Sequence, residues 1–363
     1  MIISRTPYRV SFFGGGTDYP VWYREHGGAV LATTIDKYCY ISCRYLPPFF
    51  DHKSRIAYSK IETVKSNDDI EHPAVRGVLG YLKVEDGVEI HHDGDLPART
   101  GLGSSSSFTV GLLNAVNALK ATMLTKMQLA REAIKIEQEI LRESVGCQDQ
   151  VLAAHGGLCC IEFLQDDEIR LTPMIVNRQR IQLFQEHLIL YFTGFSRTAS
   201  EIAKEQIERT KEKKGELMAM CQMVQEGSKI LTSQQDLSEF GKLLHEGWKL
   251  KRSLTSKISS PMIDDVYEAA RKTGAIGGKL LGAGGGGFML LFAKPEDHPR
   301  IHKALRSLLC VPFKFETGGS QIMLYEPGTV MERDYPQSFR LSDTINSVRT
   351  QSQDKSRSYL AGE

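Results

Sequence analysis

The pattern of apolar and polar positions predicts that the chain opens with a β-strand. Residues 1–13 first alternate and then become continuously apolar, and this run stops at Gly14–Gly16, which a polar turn at 17–20 follows. Four further stretches rich in β-branched and aromatic residues are predicted to be strands. These strands are expected at residues 29–35, 38–45, 55–58 and 87–92. A short helix is expected at 72–84.

Two longer helices are predicted next. The first has apolar residues at spacings of four, four and three, which is the period of an amphipathic helix. These residues are Phe108, Leu112, Val116 and Leu119. The second is expected to run from about residue 125 to residue 145, because Thr125 and Gln128 form a capping-box pattern and Gly146 is a typical helix end.

The second half of the chain is predicted to consist of charged helices and short strands. Strands are expected at residues 158–163, 187–192, 288–292, 313–317 and 321–325, and helices between the loop 193–197 and about residue 272 and again at 299–309. The last two strands are assigned to this half. A composition shift near residues 177–180 predicts two domains, 1–178 and 179–341, followed by a polar tail, 342–363.

The composition indicates a cytoplasmic globular protein. Charged residues make up 25% and hydrophobic residues 41% of the 363 residues, and the formal net charge is +1. This balance gives no reason to expect nucleic acid or an acidic membrane surface as a partner. No apolar run is long enough to span a bilayer, and the first residues lack the apolar core of a signal peptide. The seven cysteines contain no CxxC pair, which is typical of reduced thiols.

The stretch 96–108, LPARTGLGSSSSF, has the character of a phosphate-binding loop. Its glycines let a ligand approach the backbone, and the helix that follows presents N–H groups and a favourable dipole to an anion. Serine hydroxyls in the first helical turn can reach a phosphate oxygen or a magnesium ion. A flexible loop with serine caps is the alternative, and the stretch alone does not separate the two.

Two common nucleotide-binding motifs are not met. Residues 282–287, GAGGGG, satisfy GxGxxG, but a polar, helix-like stretch is expected before them and an apolar strand after them, the reverse of the dinucleotide fingerprint. No acidic residue follows about 20 positions later at the end of a second strand. The chain also lacks the GxxxxGKS or GxxxxGKT sequence of a P-loop. A dehydrogenase is therefore disfavoured.

Three blocks in this order resemble the three motifs of the GHMP small-molecule kinases, which include galactokinase, homoserine kinase and mevalonate kinase. The blocks are PYRVSFFGGGTDYP at 7–20, LPARTGLGSSSSF at 96–108 and KLLGAGGGGF at 279–288. The first block is more similar to the branch that acts on a heptose 7-phosphate than to galactokinase, which has a glutamate and a histidine in place of Gly15 and Gly16. The resemblance implies a two-domain α+β fold, with an N-terminal domain similar to domain 2 of ribosomal protein S5, a C-terminal α+β domain, and the site between them.

The resemblance also implies that ATP and Mg²⁺ bind at the second and third blocks. The triphosphate would lie on the loop, and the third block would line the site from the other domain. The implied ATP-binding residues are Gly101, Leu102, Gly103, Ser104, Ser105, Ser106, Ser107, Gly284, Gly285 and Gly286. Magnesium would be held by Ser104 or Ser105 together with Glu137, which without the resemblance is one more solvated glutamate of its helix.

For catalysis, the resemblance implies Asp149 as the candidate base and Arg9 as its neighbour. Phosphoryl transfer needs a carboxylate to orient the acceptor hydroxyl and positive charge to stabilise the phosphoryl oxygens. Taken alone, Arg9 is a strand residue and Asp149 an ordinary loop cap. Residues of the first glycine turn would contact the sugar, namely Gly15, Gly16, Thr17 and Asp18. Asp18 by itself also fits an Asx turn.

The expected reaction is transfer of the ATP γ-phosphate to the anomeric hydroxyl of D-glycero-D-manno-heptose 7-phosphate. The product would be the 1,7-bisphosphate used for nucleotide-activated heptose and surface polysaccharide. Because a bound phosphate needs counter-charge, basic residues are candidate clamps, namely Lys37, Arg44, Arg99, Arg197 and Lys251, with Arg99 and Arg197 favoured. A kinase for fucose, galactose or an octose phosphate and a catalytically silent ATP- and sugar-binding regulator remain as alternatives. A homodimer is left open.

Overall fold

Two β-sheets organise residues 1–47, 49–98, 100–194 and 199–327, the part of the chain that this computed structural model describes. The strands are β1 (Ile2–Phe13), β2 (Gly28–Tyr45), β3 (Ser54–Ala57), β4 (Ile61–Val64), β5 (Val88–Gly94), β6 (Cys159–Phe163), β7 (Ile169–Pro173), β8 (Leu188–Gly194), β9 (Ala275–Leu280), β10 (Gly287–Ala293), β11 (Leu309–Cys310), β12 (Phe315–Glu316) and β13 (Gln321–Tyr325). The helices are α1 (Pro20–His26), α2 (Pro73–Tyr81), α3 (Ser104–Leu119), α4 (Lys126–Lys135), α5 (Gln148–His155), α6 (Arg178–Glu186), α7 (Ala199–Glu208), α8 (Lys214–Thr232), α9 (Ser238–Leu254), α10 (Pro261–Lys272) and α11 (His298–Ala304). A π-helical turn, Ile136–Ile140, continues α4.

The first sheet has nine strands and includes strands from both ends of the described chain. Its main path runs β13-β1-β2-β5-β3-β4, while β6 and β12 pair with β2, and β7 pairs with β6. The long pairing of β1 with β2 is antiparallel and extends from Ile2 opposite Cys43 to Phe13 opposite Leu31. Helix α3 packs on both strands, and α5 packs on β1 and α3. The loop before α3 and the start of α5 are thereby brought to the same strand.

The second sheet has four strands in the order β11-β8-β10-β9, and all its pairings are antiparallel. Helix α9 packs on β9 and β10, and α10 packs on β9. Helix α8 packs on α9 and also on β1 and β2 of the first sheet. The C-terminal half thus has the expected arrangement of helices on an antiparallel sheet, and the predicted α+β class is confirmed.

Aromatic side chains pack between the two sheets. Phe12 near the end of β1 contacts Phe184 of α6 and Phe240 of α9, with ring centroids 5.5 Å apart in each pair. Phe240 in turn lies 5.9 Å from Phe292 of β10. All four rings are buried in one hydrophobic core. Since buried aromatic rings contribute strongly to stability, this cluster holds the two sheets together.

Two features of the first sheet differ from the sequence-based expectation. The predicted strands at 29–35 and 38–45 are one strand, because β2 continues through Asp36 and Lys37 where its register against β1 shifts. Strands β12 and β13, which were assigned to the C-terminal half, pair with β2 and β1 of the first sheet. A strand pattern shows that a segment pairs and does not show with which partner.

The helix predicted to begin after Thr125 ends earlier than expected. Its capping box is confirmed, but α4 stops at Lys135, and the π turn that follows is complete before residue 141. Gly146 is therefore not the helix end. A Cβ on Gly146 would come within 1.9 Å of the Asp18 carboxylate, so glycine is needed there to make room for that side chain.

The stretch before the third glycine block is strand β9, and the expectation of a helix-like segment there was wrong. Gly277 weakens the strand pattern, yet it is needed because a Cβ at this position would lie 1.9 Å from the carbonyl oxygen of Gly241 in α9. Strand β10 follows the block, so the order is strand, loop, strand. No helix begins there, and the dinucleotide fingerprint remains excluded.

Candidate active site

Arg9 and Asp149 form a bidentate ion pair between β1 and α5. Arg9 Nε and Nη2 donate to Asp149 Oδ1 and Oδ2 at 2.6 and 2.7 Å. The side chain of Arg9 is 7% exposed and that of Asp149 is 23% exposed. Two parallel charge-assisted bonds fix the orientation of the carboxylate, and its exposed part remains accessible to a ligand.

The glycine–serine loop lies directly beside this ion pair. Arg9 Nη1 donates to the carbonyl of Gly101 at 2.6 Å, and the Arg9 backbone N–H donates to the carbonyl of Leu102 at 3.0 Å. Gly103 has φ +73°, and a Cβ on it would lie 3.2 Å from Asp149 Oδ2. The loop therefore reaches the carboxylate only because glycine stands at this position.

The start of α3 is suited to bind an anion. Helix α3 begins at Ser104, directly after Gly103, which has no side chain, and the positive end of the helix dipole lies at this end. The serines differ in their surroundings: Ser105 is exposed, whereas Ser106 and Ser107 are buried. Ser107 Oγ donates to the carbonyl of Pro7 at 2.9 Å and so anchors the helix start to β1.

The third glycine block packs against the loop. A Cβ on Gly282 would lie 2.4 Å from the Cα of Gly101, so the two backbones are in direct contact. The N–H of Gly285 donates to the carbonyl of Ile258 at 3.0 Å. The block therefore supports the loop from the other half of the chain, while ATP contacts at Gly284–Gly286 remain a prediction.

Asp18 approaches the ion pair from the first glycine turn. Its Oδ1 accepts the Gly16 N–H at 2.9 Å, and its Oδ2 accepts the Gln148 N–H at 3.3 Å. Gln148 immediately precedes Asp149, so the Asp18 carboxylate lies at the start of α5, near that of Asp149. Burial, together with the nearby charge of Asp149, raises the pKa of Asp18.

The side chain of Thr17 is not positioned toward the ion pair. It is buried, and its hydroxyl lies 2.8 Å from the carbonyl of Gly14, 2.9 Å from the carbonyl of Ala29 and 3.1 Å from the Ala29 N–H. The single hydroxyl hydrogen is thus shared by two carbonyls, so the hydroxyl is fully used as a donor. Thr17 therefore ties the turn to β2, and its predicted contact with the sugar remains a prediction.

Two buried polar atoms beside Gly15 have no hydrogen-bond partner within the described residues. They are Ser11 Oγ and Gln148 Oε1. A Cβ on Gly15 would lie 3.6 Å from Ser11 Oγ and 3.7 Å from Gln148 Nε2, so the glycine leaves space between the two side chains. Buried polar atoms are normally paired, so these two are candidate partners for a ligand. Sequence reasoning missed both, although Ser11 lies two positions from Arg9 and Gln148 lies next to Asp149.

Glu137 fits a magnesium site. Its Oε2 accepts Ser106 Oγ at 2.8 Å and Gln150 Nε2 at 2.5 Å, while its Oε1 has no partner in the described chain. Burial raises the pKa of Glu137 to about 7. A free carboxylate oxygen beside a hydroxyl suits a hard cation that takes its remaining ligands from phosphates. Ser106 is a serine that contacts Glu137, and the contact of Ser104 or Ser105 with magnesium stays a prediction.

Two buried lysines lie behind the glycine block. Lys251 Nζ donates at 2.9 and 2.5 Å to two backbone carbonyls, the nearer one that of Gly282. Lys279 Nζ donates to the carbonyl of Phe12 at 2.8 Å, across the two sheets. Burial, with a smaller effect of Arg9, lowers the pKa of Lys279 to about 7. Lys251 supports the block and is not positioned as a phosphate clamp.

The remaining candidate clamps do not lie at the ion pair in the part of the structure that is described. Arg44 pairs with Glu89, and Lys37 lies 3.5 Å from the carboxylate of the preceding residue. Arg99 and Arg197, which the sequence favoured, lie outside the described residues. The structure therefore brings together Arg9, Asp149, Asp18, the glycine–serine loop and Glu137 from separate parts of the chain.

Comparison with known proteins identifies relatives for both halves of the chain. A family model described as the GHMP kinases N terminal domain matches residues 72–157, and one described as GHMP kinases C terminal matches residues 228–309. A D-glycero-alpha-D-manno-heptose 7-phosphate kinase of Campylobacter jejuni is 29% identical over 318 residues, 84% of this chain and 93% of the relative. The bifunctional fucokinase/GDP-fucose pyrophosphorylase of Arabidopsis thaliana is 24% identical over 80% of this chain and 30% of its own length.

Solved structures share the whole fold. One described as a D-glycero-D-manno-heptose 1-phosphate kinase from Bacteroides thetaiotaomicron has a TM-score of 0.73 at 25% identity and covers 89% of this chain and 99% of its own. The phosphomevalonate kinase of Streptococcus pneumoniae has a TM-score of 0.69 at 14% identity over 87% of this chain, which shows the fold alone. Among the helices that the structure describes, none is both long and apolar enough to cross a lipid bilayer.

Proposed function

Because the chain carries both the N-terminal and the C-terminal domain of the GHMP kinases and belongs to that family of ATP-dependent kinases, we propose that it phosphorylates the anomeric hydroxyl of a heptose 7-phosphate. The preferred substrate is D-glycero-D-manno-heptose 7-phosphate, and the product is the 1,7-bisphosphate, a precursor of nucleotide-activated heptose and surface polysaccharide. The observation that carries the proposal is the Arg9–Asp149 ion pair, which lies beside the glycine–serine loop. The similarity to a heptose 7-phosphate kinase supports the choice of sugar.

In this proposal the two partners of the ion pair have separate tasks. Asp149 orients the anomeric hydroxyl toward the γ-phosphate and accepts its proton as the new oxygen–phosphorus bond forms. Arg9 keeps the carboxylate in one orientation and contributes positive charge where the phosphoryl oxygens carry negative charge. Both tasks depend on the short contacts of Arg9 with Asp149 and Gly101.

The loop and the start of α3 hold the triphosphate. The glycines of the loop let phosphate approach the backbone, and the positive end of the α3 dipole favours its negative charge at this helix start. Glu137 and Ser106 would hold Mg²⁺, which neutralises phosphate charge when bound. Lys251 supports the third glycine block from behind through its hydrogen bonds to backbone carbonyls.

The sugar is held by the first glycine turn and the start of α5. Each carboxylate oxygen of Asp18 accepts one backbone N–H and can accept a further hydrogen bond. These oxygens accept hydrogen bonds from the sugar hydroxyls. Ser11 and Gln148 supply the unpartnered polar atoms next to it. Gly15 carries no side chain in the space beside Ser11 and Gln148, which suits a sugar larger than a hexose.

The experiment that tests this function is ATP-to-ADP turnover on a panel of sugars. The panel contains the heptose 7-phosphate, the unphosphorylated heptose, galactose, fucose and an octose phosphate. Turnover should be fastest with the heptose 7-phosphate, and Asp149→Asn should lower kcat roughly a hundredfold or more. Asp167→Asn is the matched control, because it also removes the carboxylate of an Arg–Asp ion pair. The side chains of that pair, Asp167 and Arg24, are 52% and 59% exposed, so it is far less buried than the Arg9–Asp149 pair.

Each other outcome points to one alternative. Fast turnover of a free hexose would keep the kinase and change the substrate. No turnover of any sugar, with ATP and sugar still bound, would indicate a silent regulator. The cytoplasmic location and the homodimer stay predictions, and the second is tested by the mass of the protein in solution.

A further inference from the structure

Residues 141–147 join two parts of the candidate site, and we call them the connecting segment. They lead from the π turn, which carries Glu137, to α5, which begins at Gln148 and carries Asp149. The candidate magnesium ligand and the candidate base therefore lie at the two ends of one short stretch of chain. The segment forms neither helix nor strand, so its path depends on individual contacts and not on a regular ladder of hydrogen bonds.

The beginning of the connecting segment is held by a backbone contact. Arg142 has φ +55°, a left-handed conformation that is unfavourable for a residue with a side chain and persists only where the surroundings fix the chain. The next residue, Glu143, donates its N–H to the carbonyl of Glu137 at 2.9 Å. This bond ties the first part of the segment to the π turn.

The end of the connecting segment is held by the side chain of Gln138, which follows Glu137 on the π turn. Gln138 Nε2 donates to the carbonyl of Val145 at 3.0 Å and to Cys147 Sγ at 3.4 Å. Both hydrogens of the amide nitrogen are thereby used. Gln138 is half-buried and Cys147 is buried, so water competes little for these bonds.

Asp18 contacts the same stretch of chain from the first glycine turn. Its backbone carbonyl accepts the Cys147 N–H at 3.1 Å, and its carboxylate accepts the Gln148 N–H at 3.3 Å. The carboxylate also fills the space that a side chain on Gly146 would need. Gln138 therefore holds the stretch at which Asp18 and the start of α5 meet.

We propose that Gln138 is a positioning residue, which fixes Asp149 relative to Glu137 so that the sugar hydroxyl and not water receives the γ-phosphate. The inference rests on the proposed function and adds a residue that does not itself take part in the reaction. Gln138 acts on Asp149 through the connecting segment. Without its two bonds the end of the segment is free to move, and transfer to a sugar hydroxyl is sensitive to small displacements of the group that orients it.

The test compares Gln138→Met with Gln165→Met. Methionine keeps the length of the side chain and removes the amide donor. Gln165 is an exposed residue in the turn between β6 and β7, and its Nε2 donates to the carbonyl of Glu25 at 2.7 Å. The control therefore loses the same kind of bond without touching the connecting segment.

With saturating ATP and heptose 7-phosphate, Gln138→Met should lower kcat roughly tenfold. Its KM for ATP should stay at the wild-type value, because the segment does not form part of the glycine–serine loop. The ratio of ADP formed to sugar phosphate formed should rise, since a mobile water molecule is less sensitive than the sugar hydroxyl to the position of Asp149. Gln165→Met should match the wild type in all three quantities.

Amide hydrogen exchange tests the inference without turnover. In Gln138→Met the N–H groups of Cys147 and Gln148, which donate to Asp18, should exchange roughly tenfold faster than in the wild type. The exchange of both groups should be unchanged in Gln165→Met. Faster exchange confined to the connecting segment and the start of α5 would support the positioning role.

Two results would overturn the proposal. One is wild-type exchange at Cys147 and Gln148 in Gln138→Met. The other is a lower kcat with an unchanged ratio of ADP to sugar phosphate and faster exchange throughout the first sheet, which would indicate general destabilisation. If the wild type phosphorylates no sugar, the proposed function fails, and the exchange measurement still decides whether Gln138 holds the start of α5.

Discussion

At the scale of single residues, alternation along β1 explains why two polar groups share the site. Arg9 and Ser11 are both buried and, two positions apart in a strand, lie on the same face of the sheet. Arg9 has acceptors at Asp149 and Gly101, whereas Ser11 Oγ has none in the described part of the chain. An unpartnered buried hydroxyl lowers stability, which is typical of a position that serves a ligand.

We expect Ser11→Ala to stabilise the ligand-free protein and to weaken sugar binding. Removing the unpartnered hydroxyl should raise the free energy of unfolding by about 1 kcal/mol and raise the KM for the sugar roughly tenfold. Urea unfolding and steady-state kinetics measure the two effects. Ser4→Ala is the control on the same strand, since Ser4 Oγ donates to the carbonyl of Gly111 at 2.8 Å and its loss should only destabilise. Lower stability with an unchanged KM in Ser11→Ala would contradict the expectation.

At the scale of elements, α5 connects the two parts of the site through consecutive residues. Asp149 is paired with Arg9, and Gln150, the next residue, donates to Glu137. Glu137 itself lies on the π turn, a local distortion that is frequent at functional sites. The position of α5 therefore sets the distance between the candidate base and the candidate magnesium ligand.

The contact between the glycine–serine loop and the third glycine block joins two elements, and the substitution Gly282→Ala tests it. Gly282 has φ +74°, and its Cβ would meet the Cα of Gly101 at 2.4 Å, so the loops must separate. Because the Gly101 carbonyl accepts a hydrogen bond from Arg9, we expect kcat/KM to fall roughly a hundredfold and the melting temperature to fall as well. Gly215→Ala on α8 meets no atom within 4 Å and should leave both unchanged. Wild-type kcat/KM in Gly282→Ala would show that this contact is not needed.

At the scale of the whole molecule, one charged contact crosses the two sheets where the aromatic cluster joins them. Lys279 of β9 donates to the carbonyl of Phe12 in β1, and Phe12 also packs on Phe184 and Phe240. Burial lowers the pKa of Lys279 to about 7, well below its ordinary value of 10.5. The protonation of one side chain is thereby linked to the packing of both domains.

This link predicts the pH dependence of stability. Between about pH 7 and pH 10.5 the unfolded chain binds a proton at Lys279 that the folded protein does not, so the free energy of unfolding due to this group rises with pH. The wild type should therefore gain stability relative to Lys279→Met over this range, on the order of a few kcal/mol. Urea unfolding at several pH values measures the difference. The control is Lys272→Met, at an exposed position of α10. Its free energy of unfolding should change with pH in parallel with that of the wild type. Parallel curves for Lys279→Met would contradict the prediction.

Local sequence patterns predicted most elements of this protein and pointed to the segments that form its candidate site. The apolar period predicted α3, the capping box at Thr125 predicted the start of α4, and the three glycine blocks predicted a family and a phosphate-binding loop. These features depend on residues close to one another in the chain, where backbone geometry and side-chain spacing decide the structure. The proposed role of Asp149 came from resemblance, since a single aspartate at a helix start carries no distinctive pattern.

Tertiary structure alone decided which distant residues meet. It placed β12 and β13 in the first sheet and Ser106 beside Glu137. It also explains why residue 146 is glycine. A Cβ there would clash with the Asp18 carboxylate, and no helix ends at this residue. In each case the deciding contact joins segments far apart in sequence, and such contacts follow from how sheets and helices pack rather than from any local pattern.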